Sequence, residues 1–578
     1  MSETMQWDHE VDVLVAGSGN GALTAAICCA DFSAAKNGRP DDILVIEKSD
    51  RIGGTSAISG GGVWVPNNRY AKAAGASDSF DEAYTYLDHT IPADSVPRQM
   101  LETYLREAPR MIDYLHDNTR VRYRSLAKYP DYFSHLPGAK NGHRSMEPEP
   151  VNWSALGPDM DAMRGDGAMY LNHRIAVTQA EGKILLEDRT FRRTALLLRL
   201  FAGYYLDIPW LLRRKGFSRR TTGGGAGVIR LLLSLRDRGI PLWCNSALDE
   251  LVEDNGRVVG AIVIRDGQRL AIRARKAVML GAGGFEHNQA MRERYLPAPT
   301  NSEWSAGCKS NTGDSIRAAE AIGAELALMD NAWWCTTKTM PNRPYPFLAI
   351  VNKSLPGSMV VNMRGQRFAN ESQNYMSFLK ETFAQYQAGV PCVPQYMIFD
   401  HDFRRRRSVW PWALPEPMIP QAYFDQRVIA KGNTVAELAG KLGMDAAGLE
   451  QTVERFNGFC DSGVDEDFRR GEAAYDRYYG DESFKPNPCL GKIRTPPFYA
   501  VRLNPGDFGT QGGMAITPNA QVKHRDGGVI DGLYAFGNNA AAVLPAYPGP
   551  GSTLGPAMTF AWQAARHLYD SNKALEES

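Results

Sequence analysis

An α/β fold, built on a parallel sheet that the chain leaves and later rejoins, is predicted by three stretches of the sequence. The first is Val11-Asp12-Val13-Leu14-Val15-Ala16, a β-branched apolar run that ends in Gly17-Ser18-Gly19-Asn20-Gly21-Ala22 and is followed by a helix-suited segment, Leu23 to Ala30. A polar connection containing Lys36-Asn37-Gly38-Arg39-Pro40 leads to a second apolar strand, Ile43-Leu44-Val45-Ile46, ending in Glu47-Lys48, so the unit reads βαβ. The second stretch holds the strands 257–264 and 277–280, the latter running into Gly281-Ala282-Gly283-Gly284; both read as returns to the same sheet. The third lies at the far end, where Gly532 to Asn538 reads as a strand closing on a glycine, with a helix from about Pro556 to Tyr569. These place a discontinuous, Rossmann-like nucleotide-binding domain at 1–334 and 500–578. Between them, 335–499 is aromatic and proline-rich with a helical stretch near 434–460, and reads as an inserted α+β catalytic domain. No period of 20 to 50 residues suggests a repeat array.

Composition bounds the function. With 43% hydrophobic and 22% charged residues, the 578-residue chain has globular composition, which excludes intrinsic disorder. Lys+Arg and Asp+Glu balance at 65 each, so no global field recruits a polyanion and nucleic acid is not expected as a partner. The 8 cysteines contain no C-x-x-C, which leaves neither a disulfide framework nor a metal spacing. Residues 1–10 carry Glu3, Asp8 and Glu10 without an apolar core, so a cytoplasmic location is the expectation. One segment departs from this even balance: 183–220 holds ten basic and three acidic residues around two apolar runs, 195–198 and 201–206. Arg199, Asp207 and Pro209 interrupt it, so a span of ~20 clean apolar residues is excluded. It reads either as a helical insertion packed on the body or as a basic amphipathic element making peripheral membrane contact.

Glycine is in excess, 55 residues against a usual ~7% of a chain, and its clusters mark where backbone must approach something closely. Gly17-x-Gly19-x-x-Ala22 fits G-x-G-x-x-G/A: a glycine for the turn, a glycine for pyrophosphate approach, and a small residue for close helix packing. Asn20 and Gly21 lie within the turn, and Glu47 ends the next strand, where a carboxylate accepts from ribose hydroxyls, with Lys48 beside it. An NAD site would stop there. This chain continues through Gly53-Gly54-Thr55-Ser56-Ala57-Ile58-Ser59-Gly60-Gly61-Gly62, whose amides and hydroxyls suit a longer ligand reaching into a second domain, and FAD is that ligand. Ala282, Gly283, Asn538, Ser552 and Leu554 complete the candidate cofactor set, and the helix near Pro556 aims its N-terminal dipole at the flavin pyrimidine. Arg51-Ile52-Gly53-Gly54 contains no His for covalent attachment, so the FAD is expected to be non-covalent.

Together with these motifs, Lys128-Tyr129-Pro130-Asp131-Tyr132-Phe133, Pro356-Gly357-Ser358, Arg367-Phe368-Ala369-Asn370-Glu371-Ser372 and the stretch Tyr547 to Met558 resemble the 3-ketosteroid Δ1-dehydrogenase family, within the fumarate reductase and succinate dehydrogenase flavoprotein superfamily. The resemblance covers nearly the whole chain. It implies removal of hydrogen from carbons 1 and 2 of the A ring of a 3-ketosteroid in steroid catabolism, with a quinone or other acceptor taking the electrons. Tyr375 matches the family's base, a tyrosinate taking the carbon 2 proton; Tyr132 matches the tyrosine that assists it, although Tyr129 competes for that role. Tyr547 and the Gly551 N–H match the pair holding the 3-keto oxygen, and hydride passes from carbon 1 to flavin N5. A phenol of unperturbed pKa ~10 is a poor base, so the site is expected to lower it. Trp333-Trp334 and Phe347 suit either a pocket lining or core packing.

The residues themselves disfavour a small dianion. Gly509-Thr510-Gln511-Gly512-Gly513 stands where fumarate reducers place a His, and no Arg lies between Asn538 and Pro556, leaving tyrosines and amides suited to a neutral carbonyl. The alternatives are a 3-ketosteroid 4(5α)-dehydrogenase, which needs a differently placed base, and a fumarate-reductase-like enoate reductase. The loop 540–546 is one residue shorter than the family's usual spacing, and the extension at 183–220 belongs to its longer members, which implies a lipophilic substrate drawn from a membrane or carrier.

Overall fold

The structure is a computed structural model and describes residues 6–570 except 166–169, 172–173, 187–189, 214–215, 342–344, 408, 410 and 413. Its main sheet has eight strands. Five run parallel, in the order Leu242–Trp243, Ile43–Ile46, His9–Ala16, Gln268–Leu280, Val529–Ala535. Val13, Leu14, Val15 and Leu44 are wholly buried, because the parallel strands are covered on both faces and unbroken apolar runs result. The helix Asn20–Asn37 packs against Gly223–Arg236 and Leu554–Tyr569, which explains why it is buried on every side over its first eleven residues rather than along one stripe. It starts three residues before the expected Leu23 and stops at Gly38, whose φ of 74° sets the left-handed cap with its N–H on the Ala34 carbonyl.

The expected strand at 257–264 does belong to this sheet, as Arg257–Arg265, but as the middle of an antiparallel meander with Ser246–Asp254 and Gln268–Leu280. A two-residue turn at Asp266-Gly267 leaves no room for the crossover that a parallel return requires. Leu242–Trp243 is too short to be read from pattern, and Ser246–Asp254 carries four acidic residues that hide its period.

A second sheet of six antiparallel strands is built around Phe498–Thr510, which pairs with Ala332–Lys338, Gln395–Phe399 and Ile429–Gly432; Ser358–Val361 and Phe347–Leu348 form its edges. Two of its strands, Ala332–Lys338 and Phe498–Thr510, run across the expected boundaries at 334/335 and 499/500 and pair with each other. The helical stretch expected near 434–460 is two helices, Val435–Leu442 and Ala446–Ser462, separated by Gly443 at φ 71°. A small three-stranded sheet, Val63–Trp64, Ser145–Pro148 and Tyr123–Ser125, carries the segment that holds Tyr132. Within 183–220, the helix Phe191–Tyr205 rests Leu196, Leu200 and Tyr204 on Ile175 and Val177, a small core of its own. Among the described residues no helix is long and apolar enough to cross a membrane.

Candidate active site

The carboxyl ends of the parallel strands open on one side of the sheet, where Gly17, Glu47, Gly281 and Gly537 follow them, and there a cavity of about 1410 Å³ begins. A drug-sized ligand occupies a pocket of ~300–1,000 Å³, so this one has room for a dinucleotide and a second molecule. Of the candidate cofactor residues, all but Ala22 and Ser552 line it. Ala22 lies beneath the cleft against Gly281, and the Ser552 hydroxyl donates to the Gly549 carbonyl at 2.6 Å, holding the turn at Tyr547–Gly551.

Backbone shape dominates this half. Gly17 has φ 105°, and a Cβ there would sit 2.4 Å from the Gly281 carbonyl oxygen; at Gly61, with φ 70°, it would meet Gly223 at 2.3 Å. No side chain fits at either position. Ser56 Oγ accepts the Asn20 N–H at 3.2 Å, and Thr55 Oγ1 accepts Asn311 Nδ2 at 3.0 Å. Glu47 is buried and accepts from Ser18 Oγ and from the Ser49 N–H at 2.9 Å; burial raises its pKa against those bonds. Lys48 reaches Asp314 at 2.6 Å, fastening the first βα unit to the segment 306–315. Asn20 Oδ1 is buried and has no hydrogen-bond partner among the described residues. Strand-end glycines, a buried strand-end carboxylate and an orphaned amide oxygen together fit FAD.

Segment 306–315, which supplies Ser310, Asn311, Thr312 and Asp314 to the lining, is absent from the sequence reading. Its signal was available: Thr312-Gly313-Asp314 opens a helix, with Gly313 at φ 75° as the cap.

The other half is aromatic. Tyr132 Oη donates to Tyr375 Oη at 2.8 Å, and the rings of Tyr132, Tyr375 and Tyr547 lie 5.4 to 5.6 Å apart in every pairing. Phe508 and Trp333 pack on Tyr547 at 6.0 and 5.3 Å. Of the aromatic residues left open by sequence, Trp333 thus backs a catalytic candidate, Trp334 packs on Phe383 and Phe347 lines the cavity. Tyr129 lies beside the pair, its ring 6.4 Å from that of Tyr132, and its hydroxyl bonds Tyr479 Oη at 2.6 Å.

Each tyrosine is set by different machinery. Tyr547 has φ 57°, a left-handed conformation costly for an aromatic residue, maintained by its N–H on the Leu544 carbonyl at 2.9 Å and by Gln511 Nε2 on the Pro545 carbonyl at 2.9 Å. Thus Gln511, within the run Gly509–Gly513, braces the loop 540–546. Tyr132 donates its N–H to Pro548 at 2.9 Å, and its neighbour Asp131 accepts from Trp64 Nε1 and Arg144, each at 2.8 Å. Tyr375 opens the helix Tyr375–Gln387, capped by Asn374, whose side chain accepts the Ser377 N–H at 2.9 Å.

Behind Tyr375 lies a buried ion network. Arg367 grips Glu371 with two bonds of 2.8 Å and Asp465 at 2.7 and 3.0 Å; Arg470 reaches Glu371 at 3.2 Å and Ser372 Oγ at 3.0 Å. Lys353 donates to the carbonyls of Glu371 and Gln373 at 2.6 and 3.2 Å. The two guanidinium groups overcome burial and hold Glu371 at about 2, while burial brings Lys353 down to about 7. The Arg367 to Ser372 motif is therefore the clamp for the strand-to-helix turn that presents Tyr375.

The expected lowering of the tyrosine pKa does not come from this chain's groups. Burial pushes Tyr375 and Tyr132 well above 10, and at Tyr375 the bond from Tyr132 lowers it only in part. Tyr547 is raised less, because Tyr375, the Gly551 amide and Thr553 hydrogen-bond to it. The Gly551 amide and the Tyr547 hydroxyl thus lie together. The Gly551 φ of 104° and a Cβ distance of 2.5 Å to Gly62 exclude any other residue there.

A dinucleotide cleft at the strand ends, joined to an enclosed aromatic pocket with acid–base groups, defines a flavin-dependent oxidoreductase. The family model for the FAD binding domain matches residues 12–554. The chain is 39% identical over 575 residues to a 3-oxosteroid 1-dehydrogenase of Mycobacterium tuberculosis, covering 97% of this chain and 99% of that one. It is 41% identical over 570 residues to one from Mycolicibacterium smegmatis, covering 96% and 97%. Among solved structures it matches the 3-ketosteroid Δ1-dehydrogenase of Sterolibacterium denitrificans in complex with 1,4-androstadiene-3,17-dione, with TM-score 0.91, 41% identity and 97% and 99% coverage. The chain belongs to the 3-ketosteroid Δ1-dehydrogenase family of FAD-dependent oxidoreductases.

Proposed function

We propose that this enzyme introduces the 1,2 double bond into the A ring of 3-ketosteroids, converting a 3-oxo-4-ene to a 3-oxo-1,4-diene. The observation that carries the reading is the convergence of three tyrosine rings within 5.6 Å beside the Gly551 amide. The Tyr547 hydroxyl and the Gly551 N–H donate to the C3 oxygen, acidify the C2 hydrogen and stabilise enolate character with fixed dipoles. Tyr375 accepts the C2 proton, and Tyr132, hydrogen-bonded to it at 2.8 Å, relays it. FAD, held by the Gly17–Gly21 turn, Glu47 and the run Gly54–Gly62, supplies the hydride acceptor. Phe508, Trp333 and the tyrosine rings exclude water from the enolate. The 39–41% identity over nearly the whole chain to Δ1-dehydrogenases supports the Δ1 reading over the 4(5α) alternative. Among the described residues the cavity lining has no His, and its one Arg, Arg174, is exposed at the rim, which argues against a dicarboxylate.

A quinone is the class of acceptor we assign, and peripheral membrane contact through 183–220 is part of the same reading. What supports it is the exposure of Phe191, Leu206 and Leu212, at 86%, 76% and 76%, on helices whose Phe201 and Tyr205 line the pocket. The test is anaerobic mixing of the yellow protein with 4-androstene-3,17-dione. Flavin bleaching with formation of the 1,4-diene is expected; a flavin that stays oxidised with this and with longer-chain 3-ketosteroids removes the steroid assignment.

A further inference from the structure

The charged residues of the cavity divide sharply. In the cofactor half they are Glu47, Lys48 and Asp314, of mixed sign. In the substrate half every charged residue among the described lining is a cation: Arg174, Lys183 and Lys338. Arg174 is exposed at the rim, and Lys183 lies 5.1 Å over the Tyr478 ring while donating to the Tyr478 carbonyl. Both suit an entrance.

Lys338 is harder to account for. It ends the strand Ala332–Lys338 and is only 2% exposed, comparable to Tyr375 at 4% and Tyr547 at 5%. Its ammonium donates to Asn352 Oδ1 at 2.8 Å, a neutral partner, and no carboxylate of the described residues pairs with it. The buried arginines are neutralised, Arg144 by Asp78 and Asp131, Arg292 by Asp507, Arg367 by Glu371 and Asp465, and the buried Lys353 spends two donors on the carbonyls of Glu371 and Gln373. A buried ammonium without a counter-charge is expensive, and two of its three donors remain for a ligand. Burial lowers it to about 8, which leaves it mostly charged at neutral pH.

Its place along the strand gives it a direction. Trp333 packs on Tyr547, at the ketone end; Lys338 lies five residues at ~3.3 Å each, about 16 Å, farther along the strand, on its opposite face, and lines the same cavity with Phe347 and Asn352. A steroid whose A ring lies against the tyrosines therefore presents ring D and its substituent to the Lys338 end, between Asn352 and the two rim cations.

We propose that Lys338 and Asn352 form a carboxylate subsite, and that the preferred substrates are 3-ketosteroids carrying an acidic side chain on ring D. This rests on the 3-ketosteroid reading above and narrows it. The neutrality expected from sequence holds for the ketone end of the pocket; the far end is cationic.

The experiment compares 3-oxo-4-cholen-24-oic acid with its methyl ester on the native holoenzyme, with 4-androstene-3,17-dione as reference. The acid is expected to exceed the ester in kcat/KM by tenfold or more, and this ratio is expected to fall close to one in Lys338→Met. A merely structural lysine would lower both substrates equally and leave the ratio intact, which overturns the proposal. Equal rates for acid and ester in the native protein overturn it as well, with turnover of the reference leaving the Δ1 reading untouched. Should the Met variant fail to fold, flavin difference titration of the native protein with the corresponding 1,4-diene acid and ester decides: tighter binding of the acid by tenfold supports the subsite, and equal binding refutes it. If no 3-ketosteroid bleaches the flavin, the failure belongs to the function and not to the subsite.

Discussion

The two halves of the cavity are built by different means. The cofactor half is backbone: glycines in turns at the strand ends, most of them within two contiguous runs, 17–22 and 53–62. The substrate half is side chains brought from 132, 375 and 547, each fastened by its own buried polar group. One tolerates no added atom; the other tolerates no lost hydroxyl or charge. Local sequence suffices for the first, and the second exists only when three separate substructures dock.

Substitutions test that contrast. Tyr375→Phe keeps the ring and removes the proton acceptor, so kcat is expected to fall by about 10²–10⁴ with FAD content unchanged, the usual range for losing an acid–base group; steady-state rates beside flavin absorbance check it. An activity loss under tenfold would move the base elsewhere. Next, Glu371→Gln leaves the Arg367 and Arg470 charges buried and undercompensated, a cost of about 3–5 kcal/mol in denaturant unfolding. Because Glu371 is held at about 2, its stabilisation is complete above the ordinary carboxylate value of ~4.3 and is lost as pH falls toward 2. The variant should lack that acid limb.

On the cofactor side, Gly61→Ala places a Cβ 2.3 Å from Gly223 on a left-handed backbone. Here the expected outcome is the reverse of Tyr375→Phe: purified protein with reduced flavin content, read from the 450 nm to 280 nm absorbance ratio. A pH profile sharpens the other half. With Tyr375 held above 10 by burial, its deprotonated fraction grows tenfold per pH unit below that value, so kcat/KM should climb from pH 7 to 10 without a plateau. A plateau below pH 8 would show that the bound cofactor lowers the phenol. The smallest effect is expected at the surface: Leu206→Ser, at a 76% exposed position, should change stability by no more than about 0.5 kcal/mol while weakening co-sedimentation with vesicles.

Much of this was legible in the chain. The βαβ unit and the helix near Pro556 follow from apolar runs and glycine turns alone. The parallel core reads plainly because burial on both faces removes alternation. Ser246–Asp254 did not, since its solvent-facing side carries acidic residues, and Asn311 did not because a single amide in a loop has no period. Family resemblance picked out Tyr132 over Tyr129; in the structure Tyr132 bonds Tyr375 and Tyr129 bonds Tyr479.

What the sequence determined by itself is the cofactor half, because a glycine turn between strand and helix is a local conformational demand that neighbours along the chain satisfy. What only the tertiary structure decided is the electrostatics of the substrate half. Whether a tyrosine is lifted above 10, a glutamate held at about 2 or a lysine left without a carboxylate depends on burial and on partners far along the chain, as Tyr132 is at 243 residues from Tyr375. Desolvation and Coulomb terms are properties of the folded volume, and no local pattern of residues encodes them.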